Sequence, residues 1–446
     1  MSAIAERIAP PRVSTSLPGP RSKELRALES LHLAPGSQAI AAYAGIAIDR
    51  GEGSELIDVD GNRFLDLSAG IGVAALGWAH PRYVRALSEQ LARSHVGSFT
   101  TEARVRALKA VARVAPEGLT RLQLYSGGSE AVESAIRLCR AATGKFEVLS
   151  FWGGFHGKTA GSLAQMGSNF KHGLGPLAPG ATLTPYADCD RCPFRVSYPG
   201  CGLLCVDFAR EKLERETTGR LAAVLIEPVQ GTAGNIVPPR DFLPAVAALA
   251  KDHGALLIAD EMITGFGRTG LSFAVQHTGV TPDVMTIGKS LGAGFPVSAV
   301  LTREEIALAQ PWSKPSFSSS SYGGNPLASA AVAEAVEIIE AEGLTENARE
   351  VGLHLRGALA ALAERHPCVA HVRGEGLMIG FDLVEPGGAL WSAARCQELF
   401  QALLRRGLIT MAYAPRVRVN PPLIFTRAQA DEALDILESA LRGMGV

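Results

Sequence analysis

Residues 255–270, ALLIADEMITGFGRTG, run from five apolar residues into a carboxylate and then into a glycine-punctuated turn. A short apolar run bounded in this way reads as a buried strand, with Asp260 just beyond its end. Downstream, residues 283–290, DVMTIGKS, repeat the plan and deliver Lys289 to a second glycine-flanked strand end. Upstream, the runs 122–125, 147–151 and 222–226 have the same form. They close on Ser126-Gly127-Gly128-Ser129, on Gly154-Phe155-His156 and on Glu227. Helical periodicity fills the intervals. Strand and helix in alternation imply an α/β sheet, largely parallel, and ligands of open α/β sheets sit beyond the carboxyl ends of the strands. The polar groups are therefore expected to converge on one edge.

Farther out, residues 46–70 alternate short β-like runs with turn dipeptides, Asp60-Gly61-Asn62 being the clearest hairpin signal. Residues 1–20, rich in Pro, Ser and Ala, read as an irregular arm. Beyond Gly323-Gly324-Asn325-Pro326 comes a strong helix, then a mixture of helices and short strands around 374–383 and 417–419. Three regions follow: 1–80 as arm and meander packing with a small domain, 81–330 as the large domain, and 331–446 as the small domain.

Composition bounds the function. The chain has 446 residues, 47% of them hydrophobic and 20% charged, which fits a folded multi-domain protein rather than a disordered one. A formal net charge of −1 supplies no basic field, so nucleic acid is not the expected ligand. No apolar run reaches the roughly 18–20 residues of a membrane span, and the first twenty residues lack the core of a secretory signal. Seven cysteines, an odd number, do not form a closed disulfide framework. A cytoplasmic enzyme is expected.

Asp260 and Lys289 together suit a pyridinium cofactor. A carboxylate beside a pyridine nitrogen keeps it protonated and makes the ring a better electron sink, while a desolvated lysine of lowered pKa forms a Schiff base. A phosphate would need a third element. The Ser-Gly-Gly-Ser turn at 126–129 opens an amphipathic helix, whose free N–H groups and dipole attract an anion.

With those residues in place, the chain resembles the class III family of pyridoxal-phosphate-dependent aminotransferases from about residue 47 to 425. The most specific blocks are 260–270, Pro282-Asp283, and Gly288-Lys289-Ser290-Leu291-Gly292-Ala293-Gly294-Phe295-Pro296. The resemblance implies the fold type I architecture: a large domain with a mostly parallel seven-stranded sheet, plus a smaller α+β domain from the C-terminus and the N-terminal segment. It implies pyridoxal 5'-phosphate bonded to Lys289, with Asp260 at the ring nitrogen and Gly128 and Ser129 at the phosphate. Phe155 and Met262 then flank the ring, His156 adjoins it, and Gln230 lies near the phenolic oxygen. Arg418 resembles the arginine that reads a substrate carboxylate, and Glu227 the acid that neutralises it when the donor has none. Ser321 stands where the family places a threonine that reaches the phosphate of a neighbouring subunit. A homodimer, or a tetramer, with shared sites is implied. Met262 departs from the family's usual valine, and Ile263 leans the donor toward an apolar amine.

The expected reaction is ping-pong transfer of nitrogen from an amine or ω-amino acid to a keto acid such as 2-oxoglutarate or pyruvate. A racemase, epimerase or aminomutase on the same scaffold is the alternative, because the two chemistries part only where the carbanion is reprotonated. Gly265-x-Gly267-x-x-Gly270 also satisfies the dinucleotide fingerprint, but it opens no clean helix and lies far from an N-terminal strand. In Cys189-x2-Cys192-x8-Cys201-x3-Cys205 the first pair has zinc-site spacing. The segment resembles a surface insert of some family members, so free thiols and no metal are expected.

Overall fold

The computed structural model describes residues 13–446. Its centre is a seven-stranded sheet in the order Arg121–Tyr125, Ser298–Thr302, Val284–Ile287, Leu256–Asp260, Leu221–Ile226, Glu147–Phe151, Ala181–Thr184. Only Ser298–Thr302 runs against the rest, pairing antiparallel with both neighbours. Leu221–Ile226 and Val284–Ile287 are buried at every position, as expected for strands covered by helices on both faces. Alternate residues feed two cores. Ala223, Leu225, Ile258 and Val284 face helix Gly128–Thr143, whereas Val224, Leu257, Ala259 and Met285 join the larger core on the other face.

The expected run 255–259 is the strand Leu256–Asp260, so Asp260 is its last residue rather than the one after it. Residues 265–270 form turns, followed by a short 3-10 segment at Ala274–Thr278 and no α-helix, which removes the dinucleotide reading.

Two smaller sheets flank this body. Glu55–Asp58 and Arg63–Asp66 form the expected hairpin, with Gly61 at φ +83° in the turn where a side chain would be strained. Ile48–Glu52 joins one edge, and Leu408–Ile409 pairs parallel to Arg63–Asp66 on the other. The C-terminal part thus completes the N-terminal meander. A three-stranded antiparallel sheet comprises Val369–Glu375, Met378–Leu383 and Arg416–Val419. Helix Pro326–Ala341 leads into this region. Asn325 caps it, its side chain accepting from the Ala328 amide at 2.8 Å, with proline in the first turn, a position that needs no N–H.

Residues 13–19 are irregular, but helix Pro20–Ser30 begins at the last residue of the expected arm. The expectation for residues 1–12 lies outside the described residues. Among the described residues no helix is long and apolar enough to cross a membrane.

Candidate active site

Asp260 ends the central strand with its carboxylate 2% exposed, so its oxygens need partners. Oδ1 accepts from the Thr286 hydroxyl at 2.9 Å and the Met262 amide at 3.2 Å, and Oδ2 lies 2.7 Å from His156 Nδ1. Thr286 comes from the neighbouring strand and His156 from the turn after Glu147–Phe151. Groups from three strands therefore fix one carboxylate, with Leu221–Ile226 lying between the central strand and the one that leads to His156. Burial alone would discharge His156, but the hydrogen bond and charge of Asp260, with Glu227 behind it, raise its pKa above the ordinary imidazole value.

Lys289 follows the strand Val284–Ile287 and sits at φ +43°, a left-handed conformation costly for a residue with a Cβ. The turn aims its side chain into a cavity of about 470 Å³, lined also by Asp260, Gly128, Ser129, Phe155, His156 and Met262. Among the described residues its amine has no carboxylate within 4 Å. Burial lowers the Lys289 pKa, Asp260 and Glu227 oppose that shift, and the positive charge of Arg418 adds to it. The net shift is downward from the ordinary lysine value.

Opposite the lysine, helix Gly128–Thr143 points its N-terminus at the cavity. Glu130 Oε2 takes the amides of Ser126 and Gly127, at 3.0 and 2.8 Å, just before the helix. First-turn amides have no acceptor within their own helix, so those of Gly128 and Ser129 remain for an anion. Ser129 Oγ accepts from the Lys158 amide at 3.2 Å. A Cβ on Gly157, which has φ +122°, would lie 2.2 Å from that same Oγ, so the cradle needs a glycine there.

Two apolar groups bound the space. Phe155 is buttressed edge-on by Phe170, ring centroids 5.5 Å apart, with Lys158 Nζ 4.9 Å above the Phe170 ring. Met262 fits where a smaller residue was expected because its neighbours have no side chains. A Cβ on Gly128 would come within 3.3 Å of its sulfur, and one on Gly288 within 2.2 Å.

Seven of the sequence-derived residues thus meet in one cavity: Lys289, Asp260, Gly128, Ser129, Phe155, His156 and Met262. Gln230, Glu227, Arg418 and Ser321 are not among its lining residues. Gln230 is buried and donates to the Trp152 carbonyl at 2.8 Å. Ser321 is exposed on its loop. Glu227 and Arg418, which the resemblance pairs only while a donor without a carboxylate occupies the site, make no ion pair within 4 Å among the described residues. Glu227 Oε1 instead accepts from the Phe155 amide at 2.8 Å and Oε2 from the Gly231 amide at 2.9 Å, so both oxygens are committed to backbone. Ile263 packs with Val229 and Met378 in a small apolar cluster and is not among the residues lining this cavity.

Sequence reasoning missed Thr286 and Lys158. The first sits inside the apolar run DVMTI, where a lone hydroxyl gives no signal; the second directly follows the Gly154–Gly157 turn and was legible as a cation beside a phosphate cradle. Cys189, Cys192, Cys201 and Cys205 line one cavity of about 20 Å³. All seven cysteines are free, and among the described residues no group of three or more His, Cys, Asp or Glu side chains is arranged to hold a metal ion.

The donor set fits a pyridinium phosphate: an uncompensated amine, a buried carboxylate held from behind, unfilled helix amides and two apolar walls around one space. Comparison with known proteins agrees. A family model described as aminotransferase class-III matches residues 38–441. The chain is 36% identical to a diaminobutyrate–2-oxoglutarate aminotransferase of Rhizobium meliloti, over 90% of this chain and 88% of that one. It is 33% identical to an alanine/serine racemase of Pyrococcus horikoshii, over 97% and 93%. An amine transaminase from an uncultivated Pseudomonas species, solved with PLP bound, superposes with a TM-score of 0.86 at 30% identity, covering 92% of this chain and 98% of that one.

Proposed function

Because this chain belongs to the class III aminotransferase family, enzymes that move an amino group from a donor to a keto acid, we propose that its cavity holds pyridoxal 5'-phosphate on Lys289. The family implies that cofactor. The observation that carries the assignment is the unpaired, desolvated Lys289 amine sharing one cavity with Asp260 and the open helix N-terminus.

The Gly128 and Ser129 amides would hold the phosphate, Asp260 the ring nitrogen, and Phe155 and Met262 the two ring faces. When bound, the protonated pyridine supplies the electron sink that lets a proton leave the substrate carbon. Lys289 Nζ, its pKa lowered by burial, would take that proton and return it, acting as general base and then as general acid. Asp260 stays in place because Thr286 and His156 hold its two oxygens. Exchange proceeds in two halves: the donor, an amine or ω-amino acid, leaves its nitrogen on the enzyme and a keto acid collects it. The first relative's use of 2-oxoglutarate supports that acceptor.

Ser321, exposed and outside its own chain's cavity, fits a role at the phosphate site of a second subunit in a homodimer. The free cysteines suit the reducing cytoplasm. The division into 1–80, 81–330 and 331–446 follows the same reading.

Racemisation is the second reading, favoured by the racemase relative that aligns with 97% of the chain. One incubation separates the two. Cofactor-loaded enzyme is mixed with a single chiral amino acid and no keto acid. A transaminase converts about one equivalent per site and stops, while catalytic loss of optical rotation identifies a racemase.

A further inference from the structure

Four cysteines that the active site does not use lie where the chain leaves the edge strand Ala181–Thr184 and enters helix Leu204–Glu216. Cys189 opens a 3-10 turn and Cys192 follows it, while Cys201 and Cys205 flank the start of the helix. Phe194 packs on Phe208, one helical turn beyond Cys205, with ring centroids 5.3 Å apart, and so holds the turn against the helix. All four cysteines line a single cavity of about 20 Å³, room for about one water molecule. Thiols from two elements thus share a space of atomic size.

Their exposure is graded. Cys189 is exposed, Cys192, Cys201 and Cys205 are half-buried, and Cys139 and Cys396 are buried elsewhere. Burial pushes the Cys189 and Cys205 thiols up to about 11, and neighbouring cysteines add to both shifts, so both rest as thiols near neutral pH. An accessible thiol with others beside it is the arrangement in which an oxidised sulfur finds a second sulfur to resolve it. The turn also grips another part of the molecule. Asp188 pairs with Arg416 and Arg191 with the buried Asp382, each at 2.8 Å, and both partners lie on the three-stranded sheet. Helix Leu204–Glu216, in turn, sends Val206, Ala209 and Leu213 into the main core.

We infer that Cys189, Cys192, Cys201 and Cys205 form a peroxide-sensitive dithiol site, which closes by disulfides between the turn and the helix start and so ties the three-stranded sheet to the main core. The Cys189 sulfur attacks hydrogen peroxide: an S–O bond forms, the O–O bond breaks and one water leaves. A thiol across the cavity attacks that sulfur; the S–S bond forms, the S–O bond breaks and a second water leaves. Each disulfide takes two electrons and two protons from two thiols and reduces one peroxide to two waters. A thiol reductant reverses it.

The test treats reduced, cofactor-loaded enzyme with hydrogen peroxide, blocks it with iodoacetamide in denaturant and maps it by mass spectrometry before and after dithiothreitol. Peptides joining Cys189 or Cys192 to Cys201 or Cys205 are expected, released by the reductant, with Cys139, Cys368 and Cys396 still free. Proteolysis between residues 185 and 205 is expected to slow at least about tenfold on oxidation, the scale of one disulfide's restraint, and Cys189→Ser combined with Cys192→Ser loses that protection. Sulfinic or sulfonic acid at Cys189 without a cross-link, bonds confined within either pair, a disulfide to Cys368, one equivalent of zinc bound to the four thiols, or equal cleavage rates in the two redox states would each overturn the inference.

Discussion

Glu261 stands beside Asp260, wholly buried, accepting from the Val275 amide at 2.8 Å and from the Thr264 hydroxyl. Burial pushes its carboxyl up to about 7 from an ordinary 4.5. Between those values the folded chain holds a proton that the unfolded chain has released. Stability contributed by this group is therefore full below about pH 4.5 and is lost as pH rises toward 7. Glu261→Gln cannot titrate. Its melting temperature should gain on that of the unmodified protein as pH is raised from about 5 to about 8, and parallel melting curves across that range would refute the assignment. At this scale Asp260 and Lys289 were legible because each ends an apolar run. The His156–Asp260 bond was not, since it joins residues 104 positions apart and only the sheet brings them together.

On the proposed reading, the element that would hold the cofactor's phosphate is the N-terminus of helix Gly128–Thr143, with the turn at Gly157 packed against it. Gly157→Ala would place a Cβ on the Ser129 hydroxyl in a backbone conformation that L-residues avoid. Strain of this kind costs about 1–3 kcal/mol, so cofactor affinity should fall at least about tenfold, read by titrating apoenzyme with pyridoxal 5'-phosphate while circular dichroism stays unchanged. Equal affinity would remove Ser129 from the cradle. Five of the seven central strands were readable as apolar runs between helical stretches, whereas Ala181–Thr184 and Ser298–Thr302 were not. The end of the central strand moved by one residue, since Asp260 still pairs with Thr286 across the sheet.

For the whole molecule, the alternation of strand and helix implied a mostly parallel sheet, and the family resemblance supplied its seven strands. Neither predicted the single reversed strand Ser298–Thr302 or the pairing of Leu408–Ile409 with Arg63–Asp66. Such pairings depend on chain returns over hundreds of residues, for which local periodicity has no signal. The same long-range closure sets Arg418 apart. Its neighbour Arg416 finds Asp188 from a distant loop and Arg418 finds only a phenol, while Glu227 accepts from the Phe155 and Gly231 amides.

The central claim is that Lys289 is the residue that bonds the cofactor, and the cavity offers a built-in control because Lys158 lines it too. The direct measurement is borohydride reduction of the enzyme loaded with pyridoxal 5'-phosphate, followed by peptide mapping by mass spectrometry. The account predicts one pyridoxyl group per chain on the peptide containing Lys289, and no visible cofactor band in a folded Lys289→Ala variant. A pyridoxyl group on Lys158, or an undiminished band in the variant, would contradict it.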